Sequence, residues 1–197
     1  MEWTQRPGVG PGAEILGADL TGRRMVELGC GAGHNTAHLA DAGATIVGLD
    51  SSAGQIRRAV AYYGHTGARF LNTSAAHHLD QATEALDAIV SVFGAIGTTE
   101  PTQLLAACSR NLARQGVLAF CVPHPRRTGA VPHHPYTCAP VTLPDGTSHT
   151  VERWDMEPAA WILALNRAGL RVTAIHHLHA PADTRWPTTL LITARKP

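Results

Sequence analysis

Lysine is nearly missing from this 197-residue chain: Lys196 stands alone, and every other basic side chain is arginine. Those arginines come at most in pairs such as Arg23-Arg24 and Arg126-Arg127, and the formal net charge is only +1. A large phosphate-binding surface is therefore excluded, and with it nucleic acid as a main partner. The four cysteines, Cys30, Cys108, Cys121 and Cys138, show no C-x-x-C spacing. Three fall in segments that read as buried, which points to reduced thiols and a cytoplasmic protein. No stretch approaches twenty apolar residues, and the opening lacks a basic-then-apolar leader, so neither a membrane partner nor export is expected. Charged residues make up only 16% and apolar residues 44%, the balance of one globular domain rather than a disordered chain.

What is present is a nucleotide-binding pattern between Met25 and Asp50. Met25 to Leu28 reads as a buried strand, and three glycines follow at alternate positions, Gly29, Gly31 and Gly33. A helix begins near Asn35 with Leu39 on its apolar side, and Gly43 ends it. A second strand, Thr45 to Leu49, finishes on Asp50. A glycine turn lets backbone approach a ligand, and the helix that follows favours an anion above its first turn. An acid about twenty residues on, at the tip of the next strand, suits the two hydroxyls of a ribose. The dinucleotide fingerprint G-x-G-x-x-G fails here, because its third glycine would fall on His34 or Thr36.

The run E-L-G-C-G-A-G at 27–33, followed by G-L-D at 48–50, resembles the class I S-adenosylmethionine-dependent methyltransferases. The resemblance implies an α/β fold: a Rossmann-like, seven-stranded, mostly parallel sheet with helices on both faces and an antiparallel last strand. It implies one methyltransferase domain over 1–197, with an N-terminal segment at 1–24 that folds over the cofactor as a lid or caps the sheet edge. It also implies a small hairpin cover, at 123–155, inserted after the fifth strand. S-adenosylmethionine would be the cofactor and S-adenosylhomocysteine the product, held by Glu27, Gly29, Cys30, Gly31, Gly33, Asn35 and Asp50. Ser51, Gln55, Ser74, Ala75, Val92 and Phe93 complete the expected set. Ser74 stands where the family carries an acid for the adenine amino group, a weaker, uncharged acceptor. Gln55 is equally read as the capping partner of Ser52, with a helix over 52–63 whose apolar face is Ile56, Ala59, Val60 and Tyr63. Phe93 is equally read as a core aromatic.

Further along, Ala13 to Leu20 reads as a short helix and Trp3 as a packing residue. Strands are expected at 68–72, 87–94, 117–122, 171–178 and 188–194, and helices from Pro101 to Leu112 and from Pro158 to Gly169, the latter burying Trp161, Ile162 and Leu165. Within 123–155, Tyr136 to Leu143 and Thr147 to Trp154 read as a hairpin joined by Pro144-Asp145-Gly146. After the fourth strand the chain has Ser91-Val92-Phe93-Gly94, not the D/N-P-P-Y/F run of enzymes that methylate amino groups of DNA bases. Nor does Gly94 to Thr99 supply the carboxylates of the magnesium-dependent catechol type.

Twelve histidines recur in pairs. His177 and His179 would share a strand face, which permits chelation, but no third ligand is suggested and ordinary surface histidine is the plainer reading. His124, His133, His134 and Tyr136 lie in the cover and are candidate acid–base residues. The resulting expectation is a metal-independent methyltransferase acting on an O or N atom of a small molecule, in specialised metabolism, with Ser91 and Phe93 among its neutral pocket groups. Two alternatives fit the same motifs: a cofactor-binding module without turnover, and an enzyme that uses the sulfonium for cyclisation. Oligomeric state stays open.

Overall fold

Four successive buried positions, Met25, Val26, Glu27 and Leu28, require a strand covered on both faces, and Arg24–Leu28 forms β1 at the centre of the sheet. The computed structural model describes residues 1–4, 6, 8–142, 147–180 and 185–197. After β1 come α1 (His34–Asp41), β2 (Thr45–Asp50), α2 (Ala53–Tyr63), β3 (Arg69–Asn72), α3 (Ala75–Gln81) and β4 (Leu86–Val92). A 3-10 turn at Ala95–Gly97 leads to α4 (Pro101–Asn111) and β5 (Leu112–Pro123). The hairpin β6 (Tyr136–Thr142) and β7 (Ser148–Trp154) follows, then α5 (Pro158–Arg167), β8 (Arg171–Leu178) and β9 (Thr189–Arg195).

Seven strands lie in the order β3-β2-β1-β4-β5-β9-β8, and β9 runs antiparallel to both its neighbours. The hairpin forms its own two-stranded sheet, with Tyr136 opposite Trp154. Its connecting Pro144-Asp145-Gly146 lies outside the described residues. One face of the main sheet packs Leu79, Leu104, Leu105 and Trp161 from α3, α4 and α5 onto Phe120 and Ile89. The other packs Trp3, Leu16 and Leu39 onto Met25, Ile46, Ala119 and Leu191.

Local differences from the sequence reading have physical causes. The helix expected over 13–20 is a four-residue 3-10 turn, Ala13–Leu16, because Gly17 at φ 150° breaks it. Trp3 is wholly buried, and its indole N–H donates to Gly12 O at 3.0 Å, so it packs rather than presenting a surface. Strand β5 starts five residues before Val117 and passes through Gly116, with Gln115 at φ 60° marking the irregularity. On α2 only Ala59 is buried, while Val60, expected inside, is 52% exposed, because this helix covers the sheet near its β3 edge. On α5 Trp161 and Leu165 are buried as expected, and Ile162 is half-buried.

Phe120 and Trp161 pack at a tilt of 59° with ring centroids 5.0 Å apart in the larger core. Phe120→Ala is expected to lower unfolding free energy by about 3–5 kcal/mol in urea titration. Val60→Ser is expected to change it by under about 0.5 kcal/mol, as for an exposed site. A loss under 1 kcal/mol at Phe120 would contradict this packing.

Candidate functional site

Parallel strands β1, β2 and β4 all end at one edge, and the turns that leave them enclose a crevice of about 490 Å³. Two backbone turns meet at its floor. A Cβ on Gly94 would lie 2.2 Å from Leu28 O, and one on Gly29 would lie 2.8 Å from Ala95 N, so both positions need glycine. Ser91, buried within β4, donates its hydroxyl to Leu28 O at 3.0 Å and accepts from Ile96 N at 3.3 Å. It ties the two exits together and does not line the crevice, which corrects its place among the pocket groups.

Asp50 governs the rim. Its Oδ2 accepts from Gly31 N at 2.9 Å and its Oδ1 from Ser52 N at 2.8 Å. Each oxygen keeps a second lone pair, enough to accept a ligand hydroxyl as well. The amides between Gly29 and Gly33 are largely spent inside the protein, contrary to the idea that they all face a ligand. Gly29 and Cys30 both donate to Leu49 O at 2.8 Å, and Gly33 donates to Cys30 O at 2.9 Å. A ligand anion is left the end of the crevice at Ala32, His34 and Asn35, where α1 begins.

Of the expected cofactor residues, Glu27, Gly29, Cys30, Gly31, Asn35, Asp50, Ser51, Gln55, Ser74, Ala75, Val92 and Phe93 all line this crevice. Gly33 does not: at φ 89° it caps α1, and a Cβ there would meet Phe70 and Ala59 at 2.7–2.8 Å. Its glycine serves helix packing. Ser74 and Ser52 are also N-caps, accepting from His77 N at 3.2 Å and Gln55 N at 3.4 Å. Asn35 Oδ1 accepts from Glu2 N at 3.0 Å, so the N-terminal segment reaches the rim. Residues the sequence reading passed over include His34, Thr98 and Thr99. The threonines return to the crevice through the 3-10 turn after β4; His34 had a signal, being the first residue of the helix behind the glycine turn.

Glu27 is buried beneath the turn, where the Thr36 hydroxyl and amide both donate to its carboxylate. Burial nevertheless pushes its pKa up to about 7, with the Asp50 charge adding to the rise. Burial likewise raises the Cys30 thiol and keeps it protonated.

The four acid–base candidates stand elsewhere, and none lines the crevice or the cavities beside it. His124 is 3% exposed; its Nδ1 accepts from Arg126 N at 3.1 Å, so Nε2 carries the proton toward His177 Nδ1 at 2.9 Å. Burial, then the neighbouring His177, lowers its pKa to about 4. With no ring nitrogen open to a substrate, it is corrected from base to structural residue. His133 and His134 are exposed on the loop before β6. Tyr136 shares the hairpin face of Glu152 and Trp154, and the bond to Glu152 raises its pKa. Among the described residues, no three His, Cys, Asp or Glu side chains gather where they could hold a metal ion. His179 lies beyond the end of β8, and His177 is engaged with His124. No described helix is long and apolar enough to cross a membrane.

Residues 25–116 match the family described as methyltransferase domain. No curated protein matches the chain. Among solved structures, an S-adenosylmethionine-dependent methyltransferase from Clostridium acetobutylicum ATCC 824 superposes with a TM-score of 0.71 at 11% identity, over 89% of this chain and 85% of that one. Another from Mesorhizobium loti gives 0.68 at 21% identity, over 93% and 98%. The magnesium protoporphyrin IX methyltransferase from Synechocystis PCC 6803, with S-adenosylmethionine bound, gives 0.63 at 15% identity, over 90% and 72%.

The raised Glu27 pKa has a defined pH signature. A carboxyl whose folded pKa lies above its unfolded value stabilises below the unfolded value, and that contribution is lost as pH rises through the folded one. Between pH 4.5 and about 7, the melting temperature of the free wild-type protein should therefore fall relative to Glu27→Gln, which cannot ionise. A difference between the two proteins that stays flat across this window would show that Glu27 ionises normally.

Proposed function

We propose that the chain, whose residues 25–116 match a methyltransferase domain and whose fold is that of S-adenosylmethionine-dependent methyltransferases, transfers a methyl group from S-adenosylmethionine to an O or N atom of a small molecule without a metal ion. The observation that carries this reading is Phe93, which lines the cofactor crevice and also two cavities of about 150 and 320 Å³ beyond it. Spaces of that size suit a small acceptor rather than a polymer. Phe93 sits at φ 48°, a conformation rare for a non-glycine residue and of the kind found where strain is kept for function.

The polar groups of the crevice support this reading. In it Asp50 accepts from the ribose hydroxyls, Ser74 and Ala75 meet the base, and Glu27 with the start of α1 meets the amino-acid end. When bound, the cofactor supplies an electrophilic methyl group on a sulfonium. The protein's part is then alignment and exclusion of water. Phe93, Thr98 and Gly97 form the passage between cofactor and acceptor, and all are uncharged. That neutrality suits a reaction in which the positive charge on sulfur disappears. No carboxylate or imidazole among the described residues lines the two cavities. This favours an acceptor whose own oxygen or nitrogen gives up its proton readily. The compact chain, the N-terminal segment acting as a lid and the hairpin as a substrate cover, and a cytoplasmic place in specialised metabolism complete the proposal.

Calorimetry tests it. S-adenosylhomocysteine should bind with a dissociation constant on the order of micromolar, and Asp50→Ala should weaken binding by at least about tenfold while the variant still melts cooperatively. A folded wild-type protein that binds neither S-adenosylmethionine nor its product would overturn the reading.

A further inference from the structure

The two cavities beyond Phe93 share Pro123 and Arg153, so they lie side by side next to the cofactor crevice and together make up the space beyond it. Its charge is opposite to that of the crevice. The crevice holds Glu27 and Asp50 and no arginine or lysine. The space beyond is lined by Arg6, Arg127 and Arg153 and by no carboxylate among the described residues. We propose that this space receives the methyl acceptor, and that the acceptor carries an oxyanion, a carboxylate or a phosphate, bound by Arg153 and Arg6. The proposal rests on the methyltransferase reading and adds the substrate class.

The three guanidiniums come from distant parts of the chain, namely the N-terminal segment, the segment after β5, and strand β7. Their convergence is a tertiary arrangement, not a local basic run. Arg127 is already answered: its Nη2 donates to Asp155 Oδ2 at 3.0 Å and its Nη1 to His124 O at 3.1 Å. Asp155 is 4% exposed and also accepts from Thr137 Oγ1 at 2.9 Å, which ties the segment after β5 to the base of the hairpin. Arg127 is therefore a positioning residue. Arg6 and Arg153 have no such partner: among the described residues neither forms an ion pair.

Two unanswered guanidiniums beside one cavity repel each other, a cost that a bound oxyanion reverses. The planar guanidinium, with paired N–H groups, matches carboxylate and phosphate oxygens. Arg153 is aimed by strand alternation. Val151 and Arg153, two apart on β7, both line the smaller cavity, whereas Glu152 and Trp154 occupy the other face. The charge division also sorts ligands. A crevice rich in carboxylates favours the ammonium and sulfonium groups of the cofactor, and the arginine-lined space favours an anionic acceptor. An acidic hydroxyl held near these arginines would ionise more easily, which fits a cavity without a base of its own.

The test is a calorimetric titration of the full chain saturated with S-adenosylhomocysteine, using benzoate, phenyl phosphate and neutral benzyl alcohol as probes at constant ionic strength. At least one anion should bind more tightly than the alcohol, and the better of the two identifies the oxyanion. Arg153→Met, which keeps the aliphatic stem, should weaken that anion by about tenfold, the loss of a charge-assisted hydrogen bond. Arg6→Met, on an exposed side chain, should weaken it in the same direction, and S-adenosylhomocysteine affinity should stay unchanged in both variants. Absence of binding by both anions, binding of the alcohol as tight as theirs, or anion binding undiminished in both variants would overturn the proposal. Failure of the wild-type protein to bind S-adenosylhomocysteine would instead remove the methyltransferase reading beneath it.

Discussion

The carboxylate of Asp50 is the hinge of this site. With one oxygen on the amide of Gly31 and the other on that of Ser52, it fixes the glycine turn after β1 against the start of α2. An ionised acceptor makes such bonds stronger than neutral ones would be. The carbonyl of Leu49, one residue away on the same strand, adds to this by accepting from Gly29 N and Cys30 N. The tip of β2 thus organises the turn above β1 before any ligand arrives, and the same carboxylate retains lone pairs for hydroxyl groups. Preorganisation of this kind reduces the ordering cost that binding would otherwise carry.

Around that hinge the molecule separates charge over a short path. Glu27 and Asp50 line one side of Phe93, and Arg6, Arg127 and Arg153 line the other. Glu27 is held under the turn by Thr36, and Arg127 by Asp155, so each side has one ionisable group tied into the protein. Phe93 and Thr98, which line both the crevice and the smaller cavity, carry no charge. Opposed reagents of unlike charge with a neutral gap between them is the arrangement that a methyl transfer from a sulfonium to an anionic acceptor asks for.

Much of this was legible in local sequence. The strand, glycine turn, helix, strand and acid of 25–50 form from short-range preferences, and all fall in place around β1. Ser51, Ser74 and Phe93 reach the crevice because they follow the ends of β2, β3 and β4, which a count of strands supplies. What depends on close tertiary approach was not legible. Gly33 looks like a ligand glycine but makes room for Phe70 and Ala59, while Gly94 and Gly29 are demanded by each other's backbones. Histidine pairs suggested chemistry, yet His124 is sealed between Arg126 N and His177. The arginines were invisible for a different reason: Arg6 and Arg153 are separated by most of the chain, and only folding brings them to one cavity.

The most direct measurement is a crystal structure of the chain with S-adenosylhomocysteine and the preferred anionic probe. The account predicts the ribose on Asp50, the sulfur facing the passage at Phe93 and Thr98, and the oxyanion on Arg153 with the rest of the probe pointing toward that sulfur. A cofactor bound outside the crevice, or an anion seated away from Arg153 with the space beyond Phe93 filled by side chains, would contradict it.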